Sequence, residues 1–296
     1  MPELPEVQTI VDDLNNKIRG DMVVDFWSEW PKALKDKSLK AFKKEIAGRK
    51  ILGARRIGKN ILVDLSGKKT LYIHLKMTGH LLVKSKKLKV KSGGKNYFDD
   101  RVNQYVHHVF YLKTQSAQRR TKYDKTLEFS DLRKFGKIIL ANTDKIKDLP
   151  EIKSLGADAM SREFNLKKFR EILEKKAKSP IGIVLMDQSV IAGIGNIYRS
   201  EILFDAKMNP HKLSEKISEK EIKILHKSIK KILKKAIKMR GTSDSDYRDT
   251  SGAPGEFHKA LKVYRKNGQK CKKCGNMIKR IKMGQRSVFY CPDCQK

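Results

Sequence analysis

The chain has 296 residues, with 67 Lys and Arg against 33 Asp and Glu, a formal net charge of +34 at pH 7. Hydrophobic residues make up 39%, which excludes a disordered chain, and the length suffices for about two domains with cores of their own. The basic surplus names polyanions as partners, nucleic acid first, although runs such as Lys84 to Lys91 and Lys230 to Lys235 also read as solvated faces.

The first element is a helix. Val7, Ile10, Val11, Leu14 and Ile18 recur at helical spacing and predict one amphipathic helix packed on a core. Ahead of it stands Pro2-Glu3-Leu4-Pro5-Glu6. One reading is an ordinary helix start, with proline and acids in the first turn. The other is chemical. Removal of Met1 before a small residue would expose Pro2 as a secondary amine with a pKa of about 8. A neutral amine condenses with an aldehyde carbon to a Schiff base, and Glu3 and Glu6 place carboxyls beside it for acid–base work. A secretory leader is not expected, since the N-terminus lacks its basic and apolar regions.

A β-rich region follows. Residues 60–65 and 70–75 alternate with period two around a Ser66-Gly67-Lys68-Lys69 turn, and 106–112, 126–129 and 137–140 read as further strands. An antiparallel sandwich is the simplest arrangement. Residues 84–104 and 113–125 are polar, basic and weakly periodic, and read as long loops. Residues 144–156 read as a linker broken at Leu149-Pro150. Beyond it the pattern is helical: one helix from Asn165 to Lys176, and a long one opened by the Ser218–Glu221 capping box with Ile222, Leu225, Ile229, Ile232, Leu233, Ala236 and Ile237 on one face. Between them, Leu185 to Leu203 is interrupted by Ala192-Gly193-Ile194-Gly195-Asn196, a turn whose following helix start offers N–H groups to a phosphate. Such a turn also suits any helical hairpin.

The four cysteines, Cys271, Cys274, Cys291 and Cys294, have the spacing C-x2-C-x16-C-x2-C. Two paired thiolates on two knuckles make a tetrahedral site for one structural Zn²⁺, and the doubled motif argues against a redox pair. A hairpin from Ile278 to Tyr290, turning near Gly284, completes a ribbon. No stretch approaches the roughly 20 apolar residues of a membrane span.

Taken together, these pieces resemble the formamidopyrimidine-DNA glycosylase and endonuclease VIII superfamily over nearly the whole chain. The resemblance is carried by Pro2 to Glu6, Lys59, His74-Leu-Lys-Met77-Thr-Gly79, Arg133-Lys134-Phe135-Gly136, Ala192 to Asn196 with Ile-Tyr, and the ribbon with Arg286. It implies an α+β protein: an N-terminal antiparallel β-sandwich with a catalytic N-terminal helix, then a helix–two-turn–helix domain ending in a zinc ribbon. The expected divisions are a catalytic domain over 1–143, a linker over 144–156, a helical DNA-binding region over 157–240, a lesion-capping loop over 241–260 and the ribbon over 261–296.

The implied activity is a bifunctional glycosylase/AP lyase of base excision repair. Its partner is double-stranded DNA with oxidised bases or abasic sites, bound by a monomer that is cytoplasmic and associated with the nucleoid. The resemblance makes Pro2 the nucleophile at C1′, Glu3 the general acid and Glu6 a support, with Lys59 on a phosphate. Met77, Arg133 and Phe135, with Lys134 between the last two, fill the gap left by a flipped nucleotide. Asn196 and Arg286 clamp phosphates, and His74 either meets a phosphate or is a satisfied sheet residue.

The Pro-Glu-Leu-Pro-Glu start, the Met/Arg/Phe trio and the Gly- and Pro-containing stretch 241–257, expected as a mobile cover, point to the oxidised-purine branch. Endonuclease VIII-like action on oxidised pyrimidines and a catalytically silent DNA-binding protein are the alternatives. Three features depart from the family pattern: Gly182 where a lysine is usual, Val106 where a histidine is usual, and the long stretch 84–125.

Overall fold

The structure, a computed structural model, describes residues 1–35, 37–86, 96–117, 121–243 and 246–296. The chain divides into two compact units. One is Met1–Ile152 with Arg240–Glu256; the other is Lys153–Met239 with Phe257–Lys296.

The first unit opens with helix α1 (Leu4–Ile18), followed by β1 (Met22–Ser28), α2 (Leu39–Ile46), β2 (Ile51–Ile57), β3 (Asn60–Leu65), β4 (Lys69–His74), β5 (His80–Ser85), β6 (Val106–Lys113), β7 (Lys125–Ser130) and β8 (Lys137–Asn142). Two four-stranded antiparallel sheets form, in the orders β1-β6-β7-β5 and β2-β3-β4-β8. Their core holds Phe26, Ile61, Val63, Leu71, Ile73, Leu81, Phe110, Leu127, Phe129, Ile138 and Leu140, joined by Val7, Ile10, Val11, Leu14 and Ile18 of α1. The helical stripe seen in the sequence is therefore the face that fixes α1 to the sandwich.

Residues 144–156 are more ordered than a linker. A 3-10 turn (Thr143–Asp148) leads into the short helix α3 (Pro150–Lys153). Ile146, Leu149 and Ile152 pack with Leu62, Tyr72 and Ile139 on the other face of β3-β4-β8. Pro150 takes the first position of α3, where its missing N–H leaves no bond unmade. Of the two stretches expected as loops, residues 84–85 extend β5, while Tyr97–Asp99 and Arg101–Gln104 form 3-10 turns. Residues 87–95 and 118–120 of those stretches lie outside the described residues.

In the second unit, β9 (Ala157–Asp158), α4 (Leu166–Lys175), α5 (Ile181–Val184), β10 (Ile191–Ala192), α6 (Asn196–Asp205) and α7 (Glu219–Lys238) precede the ribbon strands β11 (Lys279–Met283) and β12 (Arg286–Tyr290). The capping box is present: the Ser218 hydroxyl accepts from the Glu221 N–H while the Glu221 carboxylate accepts from the Ser218 N–H. Ile222, Leu225, Ile229, Ile232, Leu233 and Ala236 line the buried face of α7. The β11–β12 hairpin turns at Gly284 and Gln285, both at positive φ (55° and 61°), as a two-residue hairpin with right-handed twist requires. Among the described residues, no helix is long and apolar enough to cross a membrane.

Candidate active site and nucleic-acid contacts

Pro2 is buried immediately before α1, whereas Met1 is 46% exposed. Glu3 caps the helix and Glu6 is its third residue, and the two form a reciprocal capping box. One Glu6 oxygen, Oε2, accepts from the Glu3 N–H at 2.7 Å. The other, Oε1, accepts from the Thr242 N–H at 2.7 Å. Glu6 is thus a buried bridge between the chain start and the segment that re-enters at Arg240. The helix-start reading of this pentapeptide is realised in these capping contacts, which fix Glu3 directly after the buried Pro2.

Lys59 lies in the β2–β3 turn and is 7% exposed. Gly58 before it has φ 59°, its carbonyl accepts from Arg56 Nη1 at 2.8 Å, and Arg56 Nε reaches Gln8 of α1 at 2.9 Å. The Lys59 turn is therefore fastened to the helix that carries Glu3. His74 ends β4 and accepts the Lys76 N–H on Nδ1 at 2.9 Å. Burial, then the charges of Lys76 and Lys59, push its pKa down to about 4. At neutral pH it is an uncharged ring with its proton on Nε2, satisfied within its own turn on the other side.

Met77 is half-buried on the turn between β4 and β5, and Arg133, Lys134 and Phe135 are exposed on the β7–β8 loop. The residue that joins them is one the sequence reading passed over, Asp131. Its carboxylate accepts from the Thr78 hydroxyl, from the Gly136 N–H at 2.7 Å and from the Arg133 N–H at 3.3 Å. Thr78 Oγ1 also accepts the Arg133 N–H at 3.1 Å. Gly79 and Gly136 sit so close to the Phe129 ring that a Cβ at either would collide with it. The Arg133 guanidinium lies 4.6 Å from the centre of the Phe135 ring, and that ring is 51% exposed. An exposed ring stacked by a cation is not core packing. It leaves a flat apolar face, with a cation on it, open at the surface. Asp131→Ala removes a buried anion with three donors, and the unit should lose roughly 3 kcal/mol of stability. Urea unfolding of wild type and variant checks this.

Within the stretch expected as a mobile cover, residues 241–256 belong to the first unit, and several of the described ones are bonded to other parts of it. Arg240 pairs with Asp13 at 2.6 Å and Asp249 at 2.7 Å. Arg248 pairs with Asp100 at 2.9 Å, and Lys17 donates to the Thr250 and Ser251 hydroxyls at 2.7 Å each. A Cβ on Gly241 would stand 2.7 Å from Glu6 Oε1, so close packing explains glycine there as well as its φ of 80°. The carboxylates of Asp13, Asp100 and Asp249 are the anchors that a count of Gly, Ala and Pro does not register. Residues 244–245 lie outside the described residues.

In the second unit, Asn196 starts α6. The turn before it is braced by Gln188, whose Oε1 accepts from the Gly193 N–H at 3.0 Å and whose Nε2 donates to the Ile194 carbonyl at 2.7 Å. Gly193 has φ 107°. Arg286 is exposed at the first position of β12. The ribbon is fastened beneath by Glu201 of α6. This buried carboxylate accepts the N–H groups of Lys262, Val263 and Tyr264, each at 2.9 Å.

The four cysteine sulfurs lie within 4.8 Å of one another, with Cys271–Cys294 at 3.9 Å and Cys274–Cys291 at 3.4 Å. A tetrahedron of thiolates about 2.3 Å from zinc has edges near 3.8 Å, so the donor set fits one structural Zn²⁺. Gly275 at φ 82° closes the first knuckle, and its N–H reaches the Cys271 carbonyl at 2.8 Å. The fully buried Gln295 closes the second. It accepts the Cys291 N–H and donates to the Met208 carbonyl, both at 2.9 Å.

Three family models match the chain: the N-terminal domain of formamidopyrimidine-DNA glycosylase over residues 1–138, its H2TH domain over 155–248, and a zinc finger found in FPG and IleRS over 268–296. Among curated relatives, the formamidopyrimidine-DNA glycosylase of Carboxydothermus hydrogenoformans is 38% identical over 296 residues, covering all of both chains. That of Pelotomaculum thermopropionicum is 36% identical over 299 residues, covering 100% of this chain and 99% of the relative. Lactococcus lactis Fpg in complex with abasic-site DNA is 32% identical with a TM-score of 0.83, covering 99% of each chain. The same relative bound to DNA containing N7-benzyl-Fapy-dG superposes with a TM-score of 0.83 at 32% identity over the full length of both.

Proposed function

The chain belongs to the formamidopyrimidine-DNA glycosylase family of base excision repair enzymes, and we propose that it removes oxidised purines, 8-oxoguanine and formamidopyrimidines, from duplex DNA and then cuts the strand. The observation that carries this reading is the buried start of α1, where Pro2 and Glu3 are held by the Glu6 bridge.

Once Met1 is removed, the Pro2 nitrogen attacks C1′ of the damaged nucleotide. The bond from C1′ to the base breaks, the base leaves with the electron pair, and the proton shed by the Pro2 nitrogen neutralises the departing base. Glu3 gives its proton to the sugar ring oxygen, the ring opens, and an iminium joins C1′ to Pro2. The iminium acidifies the C2′ proton. Its loss expels the 3′ phosphate, and a second elimination expels the 5′ phosphate. Glu6 positions Glu3 through the backbone, and Lys59 holds a phosphate beside the reacting sugar. The damaged nucleotide leaves the stack at a cost of a few kcal/mol. Phe135, stacked on Arg133, and Met77 fill the space, with Lys134 beside them, while Asn196 and Arg286 hold phosphates. The uncharged His74 can offer a phosphate only its Nε2–H.

Borohydride trapping on a duplex with 8-oxoguanine opposite cytosine, followed by mass spectrometry of the adduct, tests the reading. An adduct on Pro2 supports it. No adduct from processed, zinc-loaded protein on this lesion or on an abasic site leaves a DNA-binding protein without the reaction. Preference for an oxidised pyrimidine in a competition assay moves the specificity to the other branch of the superfamily.

Two variants separate contact types. Arg286→Ala weakens binding across sequences and lowers the slope of log K against log salt by about 1. Met77→Ala slows lesion processing more than it weakens binding. Anisotropy titrations and single-turnover rates for each variant read this out, and equal losses in both assays for both variants contradict the assignment.

A further inference from the structure

Arg199 is among the largest fully buried side chains in the described residues, at 1% exposure. It lies one helical turn after Asn196 on α6, so the two side chains share a face. Its guanidinium is spread over three oxygens. Nη1 donates to the Gly182 carbonyl of α5 at 2.9 Å, and Nη2 donates to the Ser287 carbonyl of β12 at 3.2 Å and to Oδ1 of Asn196. Gly182 admits this arrangement because a Cβ there would stand 2.7 Å from the sulfur of Met283 and 3.0 Å from the Pro210 carbonyl. The position where the family pattern leads one to expect a lysine is thus packed shut, and a cation reaches its carbonyl from the neighbouring helix.

A guanidinium only donates hydrogen bonds, so the Asn196 atom that faces it is the amide oxygen. The NH2 end of that amide therefore points the other way. A phosphate diester only accepts hydrogen bonds, so Asn196 is useful to it in this orientation alone. We propose that Arg199 is a positioning residue for DNA binding, which locks the Asn196 amide with its donors turned outward. Gly182 and Ser287 hold the guanidinium still while it does so. The proposal rests on the reading of Asn196 as a phosphate contact. It assigns Arg199 no phosphate of its own.

The test compares wild type, Asn196→Ala, Arg199→Met and the double variant, titrated against a duplex carrying a tetrahydrofuran abasic analogue. Zinc content and melting temperature establish that each is folded. Each single variant should bind about tenfold more weakly, the loss of one well-oriented hydrogen bond, and the double variant no more weakly than either. The salt slope of Arg199→Met should equal that of wild type, because a buried cation meets no phosphate. Additive losses, or a slope lower by about 1, overturn the proposal.

Asn196→Asp provides a readout without DNA and leaves Arg199 in place. A carboxylate against the guanidinium should raise the melting temperature while lowering affinity, since the donor is gone. An unchanged or lowered melting temperature means that the amide oxygen does not face Arg199, and the proposal fails even if Arg199→Met does not fold. If wild type itself binds no lesion duplex, the functional reading fails instead, and the Asn196→Asp melt still decides the geometry.

Discussion

Replacing Pro2 with glycine lowers base release and the borohydride-trapped adduct by about 10³-fold or more, the scale of losing a nucleophile, and leaves the Kd for a tetrahydrofuran duplex within about twofold. The ring explains why a glycine amine is no substitute. A secondary amine forms an iminium that has no N–H to lose, so it stays cationic and withdraws electrons from C2′ throughout both eliminations. Glycine forms a Schiff base that can shed its charge, and it lacks the buried ring of Pro2. The surroundings stay intact, because the helix is held by Val7, Ile10, Val11 and Leu14 and by the Glu6 bridge, none of which involves the Pro2 ring. Protein that retains Met1 should be as inactive as the variant, because its Pro2 nitrogen is an amide. Intact-mass analysis beside the trapping assay separates the two populations. A trapped adduct on a lysine in Pro2→Gly, formed at the wild-type rate, rules out Pro2 as the nucleophile.

How much of this was legible in the sequence depends on whether a residue's partner is local. The stripe of α1, the Ser218–Glu221 box and the four cysteines are read from spacing because their contacts lie within a few residues or repeat with a fixed period. The strands β3, β4 and β6 follow from short apolar runs bounded by turn residues, although β3 and β4 are buried on both faces rather than one. β1 was missed because a bulge between Val23 and Asp25 shifts its register, so Val23 and Phe26 share the core face three residues apart rather than two. β2 buries only Ile51, and α2 only Phe42 and Ile46 among lysines, which leaves too little apolar pattern to count. In the candidate site the motifs show the residues proposed to carry chemistry, but not the side chains that support them. Asp131 and Arg199 act on residues brought near by the fold, Thr78 for one and Gly182 and Ser287 for the other, while Gln188 bonds a turn only five and six residues on, whose shape no spacing announces. The segment after Arg240 is the case in which composition says least about partners. Its composition suggests freedom, while its carboxylates and Glu6 find partners up to 241 positions away.

Removing zinc should cost the protein its DNA affinity before its chemistry. The hairpin of the ribbon has little core beyond Ile278, Met283, Val288 and Phe289, the last in edge contact with Tyr264 at 5.2 Å, and Leu261, Val263 and Tyr264 precede the first cysteine. Zinc–thiolate bonds supply about 10–16 kcal/mol in small zinc domains, so without the ion such a ribbon does not hold its fold. The two proposed phosphate contacts should then fail together. Arg286 loses the hairpin that presents it. Arg199 loses the Ser287 carbonyl, and Ser200 no longer meets the Phe289 N–H at the neighbouring position of α6, so the lock on Asn196 loosens as well. A single ion therefore governs contacts on two elements, and the loss should exceed that of Arg286→Ala alone, reaching about 10²-fold in Kd if each contact is worth about tenfold. Pro2, Glu3 and Lys59 belong to the other unit, and no ligand of the metal is among them. At saturating protein, the single-turnover rate of base release should stay within a few fold of wild type after chelation. Anisotropy and single-turnover assays on chelated and zinc-restored protein make the comparison. A zinc-free protein with unchanged Kd and a collapsed rate at saturation would place the metal in the reaction itself.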